Sequence, residues 1–346
     1  MLLVGAHPEQ DRHDPGSGHP ERPGRLVAAA AGIADALDAD AGDAGLGGTD
    51  LCLPLRLASR SELAAVHDIG YLDAVADLCA RGGGHLDADT VASPGSWETA
   101  RATAGAGLGA VEALTAGQGD AAFVLGRPPG HHATRAAAMG FCLLNNVAIT
   151  AAALVSRGER VAIIDWDVHH GNGTQDIFWE DPRVLFVSIH QWPLYPGTGR
   201  ADERGGGAGL GTTVNVPLPA GATGDVYLAA WDEVIAPSVA RFGATWVLVS
   251  AGFDAHRDDP LASMLLTAGD YADLTGRVMA LTDEAGRTIL FLEGGYDLGG
   301  LRASVAACAS RLAGGSYRPE PASSGGPGMA HVAGYRRRFL EEIPHS

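Results

Sequence analysis

Four short apolar runs recur along the chain, and each breaks off abruptly into polar residues: Ala121–Gly126, Val161–Asp167, Thr245–Gly252 and Thr288–Leu292. Runs this short and this uniformly apolar fit strands buried on both faces, as in a parallel sheet, and not half-exposed strands of alternating polarity. Helical stretches lie between them, expected over Phe141–Arg157, Asp225–Phe242 and Thr267–Ala285. This alternation predicts an α/β domain with a mainly parallel sheet and helices on both faces. In such sheets ligands gather beyond the carboxyl ends of the strands. The sequences Arg127–Ala133, Asp165–Gly173, Gly252–His256 and Glu293–Asp297 follow the four runs directly, so a parallel sheet brings them to one edge.

The richest of these ends is Asp165-Trp-Asp-Val-His-His-Gly-Asn-Gly173. Strand alternation puts Asp165, Asp167 and His169 on one face. Two carboxylates and an imidazole at the end of a buried strand are costly without a cation among them. Oxygen and imidazole nitrogen donors suit a zinc-like divalent ion, and they suit ferrous iron as well. Gly171 and Gly173 are expected to let the chain turn away sharply. A hydrolytic metal site takes about three protein ligands and keeps a position open. Asp167 and His169 supply two, and Asp254, after the run Trp246–Ser250, is the expected third.

Hydrolysis also needs a proton acceptor for the attacking water and a donor for the leaving group. The tandem His131-His132 follows a Pro-Pro-Gly turn at the same edge. Asp165 lies one alternation deeper than Asp167 and is placed to orient an imidazole and raise its pKa. Tyr296, in Gly-Gly-Tyr, can offer a hydroxyl to a carbonyl under attack. Each residue taken singly also fits a structural role: a strand-end cap, a polar loop residue, a packed ring. Their convergence on one edge favours chemistry.

The 346 residues carry a formal charge of −17 and no lysine, every basic residue but histidine being arginine. Such a chain has no general affinity for nucleic acid or anionic membrane, and it attracts cationic substrates. Cys52, Cys79, Cys142 and Cys308 are scattered without CxxC spacing, against a cysteine metal site or a disulfide framework. No signal peptide or run of transmembrane length is evident, so a cytoplasmic location is expected. With no composition shift to mark a boundary, one domain is expected over residues 1–346. Its core would span about residues 5–312, with a Gly/Ala/Asp linker at Ala39–Asp50 and a peripheral polar tail over 313–346. The Gly-rich loop Gln191–Gly211 is long enough to serve as a rim or an oligomer contact.

The motifs Arg127-Pro-Pro-Gly-His-His-Ala133, Gly140-Phe-Cys-Leu-Leu-Asn-Asn-Val-Ala148, Asp165–Gln175, Ser250-Ala-Gly-Phe-Asp-Ala-His256 and Glu293-Gly-Gly-Tyr296 occur in order. Together they resemble the histone deacetylase superfamily, closest to its class II type and to the bacterial histone-deacetylase-like and acetylpolyamine amidohydrolases. His19-Pro-Glu-Arg-Pro23 resembles the first loop of that group. The resemblance implies the arginase–deacetylase fold, with a parallel eight-stranded sheet, and zinc held by Asp167, His169 and Asp254. It implies that His132 acts as base and then acid, partnered by Asn172 where other classes have Asp. His131 would be mainly electrostatic, paired with Asp165, and Tyr296 would polarise the scissile carbonyl. Gly140, Phe141 and Tyr195 would wall an acyl-lysine tunnel, Tyr195 standing where Phe is frequent. A structural potassium ion would be held by Asp165, Asp167, His169, Ser188 and Ile189, largely through backbone carbonyls.

The implied activity is removal of an acetyl or short acyl group from the side-chain amine of acyl-lysine in a protein or peptide. The alternative is a small acylated amine: polyamine-directed members tend to carry Glu after an Asp-Pro at the tunnel mouth, and here Leu261 follows Asp259-Pro260. A more distant alternative is a catalytically weak acyl-lysine-binding or metal-binding module. An arginase-like ureohydrolase would want a two-manganese ligand set larger than the one found.

Overall fold

The computed structural model describes residues 1–5, 12–40, 53, 56–282 and 284–341. In chain order the elements begin with β1 (Leu2–Gly5), α1 (Gly24–Asp40), α2 (Arg60–Leu63), α3 (Ile69–Ala80) and a small hairpin, β2 (Gly84–His85) and β3 (Val91–Ala92). Then come α4 (Ser96–Thr115), β4 (Ala121–Val124), α5 (Asn146–Ser156), β5 (Val161–Asp165), α6 (Asn172–Phe178), β6 (Val184–Gln191) and β7 (Thr213–Leu218). The chain continues through α7 (Gly224–Ala230), a wider π-type turn over Trp231–Ile235, α8 (Ala236–Phe242) and β8 (Trp246–Ala251). It finishes with α9 (Ala268–Met279), β9 (Thr288–Leu292), α10 (Leu298–Leu312) and α11 (Met329–Arg336).

The main sheet has the order β1-β4-β9-β8-β5-β6-β7, and every pairing in it is parallel. The four runs with polar ends are therefore four adjacent central strands, β4, β9, β8 and β5, and their carboxyl ends form one continuous edge. Seven strands form among the described residues, one fewer than the resemblance implied. Each of the seven lies on an apolar run of the sequence. On the side of β1 away from β4, the Leu53 N–H donates to Val4 O at 3.4 Å. The Ala39–Asp50 linker lies almost wholly outside the described residues.

Strand alternation feeds two cores, one on each face of the sheet. Leu2, Val4, Phe123, Ile164, Val187, Val249 and Leu290 face α1, α9, α10 and the Gly224–Phe242 segment. Leu3, Val124, Ile163, Phe186, Leu248 and Phe291 face α3, α4 and α5. Each fully buried side chain contributes roughly 1.5–3 kcal/mol, and truncating one such as Ile163 to Ala costs about 2–5 kcal/mol.

Helix starts differ from the sequence reading where capping intervenes. The helix expected from Phe141 begins at Asn146, because Asn145 caps it by accepting the Ala148 N–H at 3.0 Å. Ser59 caps the helix near residue 60 in a reciprocal box with Glu62, and the chain breaks before a second helix starts at Ile69. The tail packs on the domain: Val332 and Phe339 are buried, and the Tyr335 hydroxyl donates to Pro217 O at 2.7 Å. Among the described residues no helix is long and apolar enough to cross a membrane.

Candidate active site

The carboxyl ends of β5, β8 and β9 are laced together by carboxylate–backbone hydrogen bonds. Asp165 Oδ1 accepts from Asp167 N (3.1 Å), and Asp167 Oδ1 accepts from His169 N (2.9 Å). Asp167 Oδ2 accepts from Gly294 N (2.8 Å), which ties β5 to the loop after β9. Asp254 Oδ1 accepts from Val168 N (2.8 Å), which ties it to the loop after β8. These bonds fix the carboxylates and leave ligand atoms of Asp167, His169 and Asp254 within 4.8 Å of one another. His169 Nδ1 lies 3.1 Å from Asp254 Oδ2 and 3.2 Å from Asp167 Oδ1. The approach requires glycine: a Cβ on Gly252 would collide with the Asp167 carboxylate, and one on Gly294 with that of Asp254.

Gly171 serves in the same way. A Cβ there would strike Asp165 Oδ2, and its φ of −73° needs no glycine freedom. Gly173 sits inside α6, with no positive φ. The glycines that the sequence suggested for a sharp turn are therefore needed for space.

This cluster draws positive charge. Burial opposes protonation of His169, but Asp167 and Asp254 outweigh it and hold the ring's pKa up to about 10. Burial and the neighbouring Asp167 push Asp254 up to about 7. A divalent cation between the carboxylates would relieve both tensions, and two carboxylate oxygens with one imidazole nitrogen fit zinc or ferrous iron.

His131 and His132 follow β4, their backbone held from behind by Glu293, whose Oε2 accepts from Gly130 N (2.6 Å) and His131 N (3.2 Å). The two rings see different partners. His131 Nδ1–H donates to Asp165 Oδ2 at 3.0 Å. Burial opposes its charge, but Asp165 and Asp167 prevail and hold its pKa at about 10. His132 Nδ1–H donates to Asn172 Oδ1 at 2.7 Å. Burial, and then the positive charges of His131 and His169, push its pKa well below the usual imidazole value. His132 is thus neutral, with its proton on Nδ1 and its Nε2 lone pair free.

A cavity of about 240 Å³ opens onto this cluster. Gly140, Phe141, Tyr195 and Leu261 line it together with His132, His169 and Tyr296. The Tyr195 ring stands edge-on to His132 at 5.2 Å, and Phe141 stands edge-on to Tyr296 at 5.8 Å. Phe141 has a φ of 67°, a left-handed conformation that costs a non-glycine residue about 1–3 kcal/mol. Its N–H donates to Thr90 Oγ1 at 3.0 Å. Leu261 lies at the rim, 36% exposed. A larger hollow of about 530 Å³, lined by Val66, Arg135, Val155 and Pro182, contains none of the strand-end residues, so size alone does not mark the site.

The β5–β6 register sets Ser188 opposite Asp165, with Ile189 buried next to it. The register thus brings Asp165 beside Ser188 and Ile189, three of the five residues named for a potassium site.

Three contributors went unnoticed in the sequence. Asp89, in the β2–β3 turn, lines the cavity mouth. Its run of Asp and Gly reads as an ordinary solvated turn. Asp259 Oδ2 accepts from Tyr296 N at 2.6 Å, although the residue precedes a proline and looked like loop. Arg25, fully buried, donates to Gly295 O (2.6 Å) and to Glu293 O, and its guanidinium lies 4.9 Å from the centre of the Tyr296 ring. Glu21 balances Arg25 and also Arg127, so the His19–Pro23 loop that carries it braces the tyrosine's underside.

Comparison with known proteins agrees with this geometry. The family description "Histone deacetylase domain" matches residues 19–312. The chain is 41% identical over 244 residues to the histone deacetylase-like amidohydrolase of Pseudomonas aeruginosa, covering 69% of this chain and 64% of that protein. It is 44% identical over 246 residues to a probable deacetylase of Archaeoglobus fulgidus, covering 70% and 68%. The crystal structure of the HDA15 HD domain superposes with a TM-score of 0.86 at 36% identity, covering 99% of this chain and 95% of that one. A family description spanning most of the chain and a whole-length structural match lead to one conclusion: the chain is a hydrolase of the histone deacetylase family.

Proposed function

We propose that this protein is a zinc-dependent deacylase that removes acetyl or short acyl groups from the side-chain amine of lysine in proteins or peptides. The observation that carries this reading is the cavity walled by Phe141 and Tyr195, whose lining includes His132, Tyr296 and His169, the last of these sharing a ligand cluster with Asp167 and Asp254. Zinc bound by Asp167, His169 and Asp254 would supply Lewis acidity toward the amide carbonyl and make water a better nucleophile at neutral pH. Ferrous iron would serve with the same donors.

The chain's own groups do the rest. His132 Nε2 accepts a proton from the attacking water and returns it to the departing amine as the C–N bond breaks. Asn172 holds His132 in that tautomer. His131, protonated and paired with Asp165, adds positive charge where negative charge develops on the acyl carbon's oxygens. Burial pushes the Tyr296 phenol well above its ordinary pKa, which keeps its proton available to donate to that oxygen. The edge-on aromatic walls suit the lysine methylenes. A structural potassium ion at Asp165, Asp167, His169, Ser188 and Ile189 belongs to the same proposal, supported by the pairing of Asp165 with Ser188 in the β5–β6 register. The buried free thiols of Cys79, Cys142 and Cys308 support a reducing, cytoplasmic setting.

A second reading is an acetylpolyamine amidohydrolase. It is favoured by the Asp89 carboxylate at the mouth, which could meet a distal ammonium. Apolar Leu261 at the rim weighs toward lysine. The test is kcat/KM of the zinc-loaded protein on an acetyl-lysine peptide and on an acetylated diamine, side by side. A clear preference for the peptide supports the first reading. Preference for the diamine transfers the proposal to polyamines. Turnover of neither by metal-loaded protein overturns both.

A further inference from the structure

His256 ends one of the strand-end motifs, yet it lies outside the cavity and has no part in the chemistry above. It is 3% exposed. Its Nδ1 accepts the Asp258 N–H at 3.3 Å, which leaves its proton on Nε2. That Nε2–H donates to Glu320 Oε2 at 2.9 Å. Glu320 belongs to the segment after α10, beyond the residues 19–312 matched by the family description. The same carboxylate accepts from Ala268 N at the start of α9 (2.8 Å) and from the Arg257 guanidinium. Neighbouring residues of the segment are anchored too. Pro321 O accepts from the Thr267 hydroxyl at 2.6 Å, and the Ser323 hydroxyl donates to Asp270 Oδ2 at 2.6 Å.

The chain from His256 leads straight into the site. His256 O accepts from Asp259 N at 2.9 Å, closing the turn between them. Asp259 then accepts from Leu261 N (3.0 Å) at the cavity rim, and from Tyr296 N (2.6 Å) and Asp297 N (3.3 Å) across the gap to the loop after β9. Asp254 sits at the other end of the same short loop. One loop therefore carries a metal-binding carboxylate, a rim residue and the clamp on Tyr296. Its side facing away from the sheet edge is held by the His256–Glu320 pair, by Arg257, and by the backbone bonds Arg257 N–H to Leu266 O (2.9 Å) and Leu266 N–H to Ala255 O (3.1 Å).

We infer that the C-terminal segment is a working part of the active site: Glu320 is a positioning residue that acts through His256 to fix the loop 253–261. The inference rests on the reading of Asp254 as a metal ligand and Tyr296 as the carbonyl's partner. It says why a polar tail outside the family span is docked so closely. Partners that hydrogen-bond to metal ligands tune metal affinity, and Glu320 would act one step further out, through His256.

The test compares zinc-loaded wild-type protein with Glu320→Ala, Glu320→Gln and Arg318→Ala. Arg318 pairs with Asp273 on the surface of the same segment and serves as the control. Three readouts are taken: amide hydrogen exchange over 253–261 and 293–297, the rate of zinc loss to a chelator, and kcat and KM separately. The expected result for Glu320→Ala is faster exchange in both loops with α10 unchanged, zinc loss quickened about 10-fold and kcat lowered about 10-fold. Glu320→Gln, which keeps an oxygen for His256, should fall between it and wild type, and Arg318→Ala should match wild type. Wild-type exchange and zinc retention in Glu320→Ala would overturn the inference. If that variant does not fold, Glu320→Gln decides it by the same readouts. Absence of zinc binding or turnover in the wild type would instead defeat the reading of the site, while loop exchange would still judge the brace.

Discussion

His131 and His132 are consecutive and their ring centroids lie 4.0 Å apart, yet their surroundings push their pKa values in opposite directions. The difference comes from their partners. His131 donates to a carboxylate, Asp165, and His132 to a neutral amide, Asn172. A protonated His131 beside it further disfavours a charge on His132. On the proposed reading, one ring would serve as fixed positive charge and the other as a free base.

Asn172→Asp tests this division. His132's pKa lies well below 6.5, so the base form persists as pH falls, and the acid limb of kcat/KM should sit below that value. A carboxylate at residue 172 favours the imidazolium, so the base form is lost at higher pH. The acid limb should rise by about one pH unit or more. A pH–rate profile of the two proteins checks this, and an unmoved limb would separate Asn172 from His132.

Tyr296→Phe removes the hydroxyl while keeping the ring between Phe141 and Arg25. The expected loss in kcat is about 10²–10³-fold, typical of one donor to a developing oxyanion. Zinc stoichiometry should stay unchanged, since Tyr296 is not among the ligand atoms. Unchanged turnover would remove the tyrosine from the mechanism.

Zinc binding should release a proton. Without the ion, His169 holds its proton up to about pH 10, and the imidazole must be neutral to ligate. At neutral pH the apparent Kd should therefore rise about tenfold for each unit fall in pH. Calorimetry in two buffers of different ionisation enthalpy measures the release. Binding without it would contradict the charge assigned to this cluster.

Glu21→Gln probes the buried network beneath Tyr296. Burial opposes the Glu21 charge, but His13 and Arg127 hold its pKa well below the usual carboxylate range. Because the folded pKa is depressed, the stabilisation is present above the unfolded value, near pH 4.5, and is lost as pH falls through the folded value. At pH 7 the variant should lose about 3–5 kcal/mol, because it leaves Arg25 and Arg127 buried without their counter-charge. The gap from wild type in urea unfolding should narrow below about pH 4. A constant gap across pH would show that Glu21 acts through packing alone.

Much of the site was legible because strand chemistry is local. β5 carries Asp165 at its end, with Asp167 and His169 just beyond, and the parallel order of the four central strands follows from their apolar runs. What escaped depends on contacts between residues far apart in the chain. Asp259 and Arg25 act on Tyr296 from 37 residues before it and from the opposite end of the protein, and no spacing announces either. Asp89 sits in a turn whose composition resembles any solvated loop. The glycines misled for a related reason: their φ values are ordinary at Gly171 and Gly173, and their need is set by carboxylates that only the folded chain brings close. The seven strands among the described residues each lie on an apolar run, and the apolar stretch from Leu51 to Ala58 lies partly outside those residues.

On the proposed reading, Asp167, His169 and Asp254 would hold a catalytic metal beside the cavity that takes the acyl-lysine. The most direct measurement is acetate release from an acetyl-lysine peptide by chelator-stripped protein as zinc is added back. The expected result is no turnover in the stripped protein and recovery that saturates at one zinc per chain, with Asp254→Asn recovering little at the same zinc. Equal turnover by the stripped protein, or full recovery in Asp254→Asn, would contradict it.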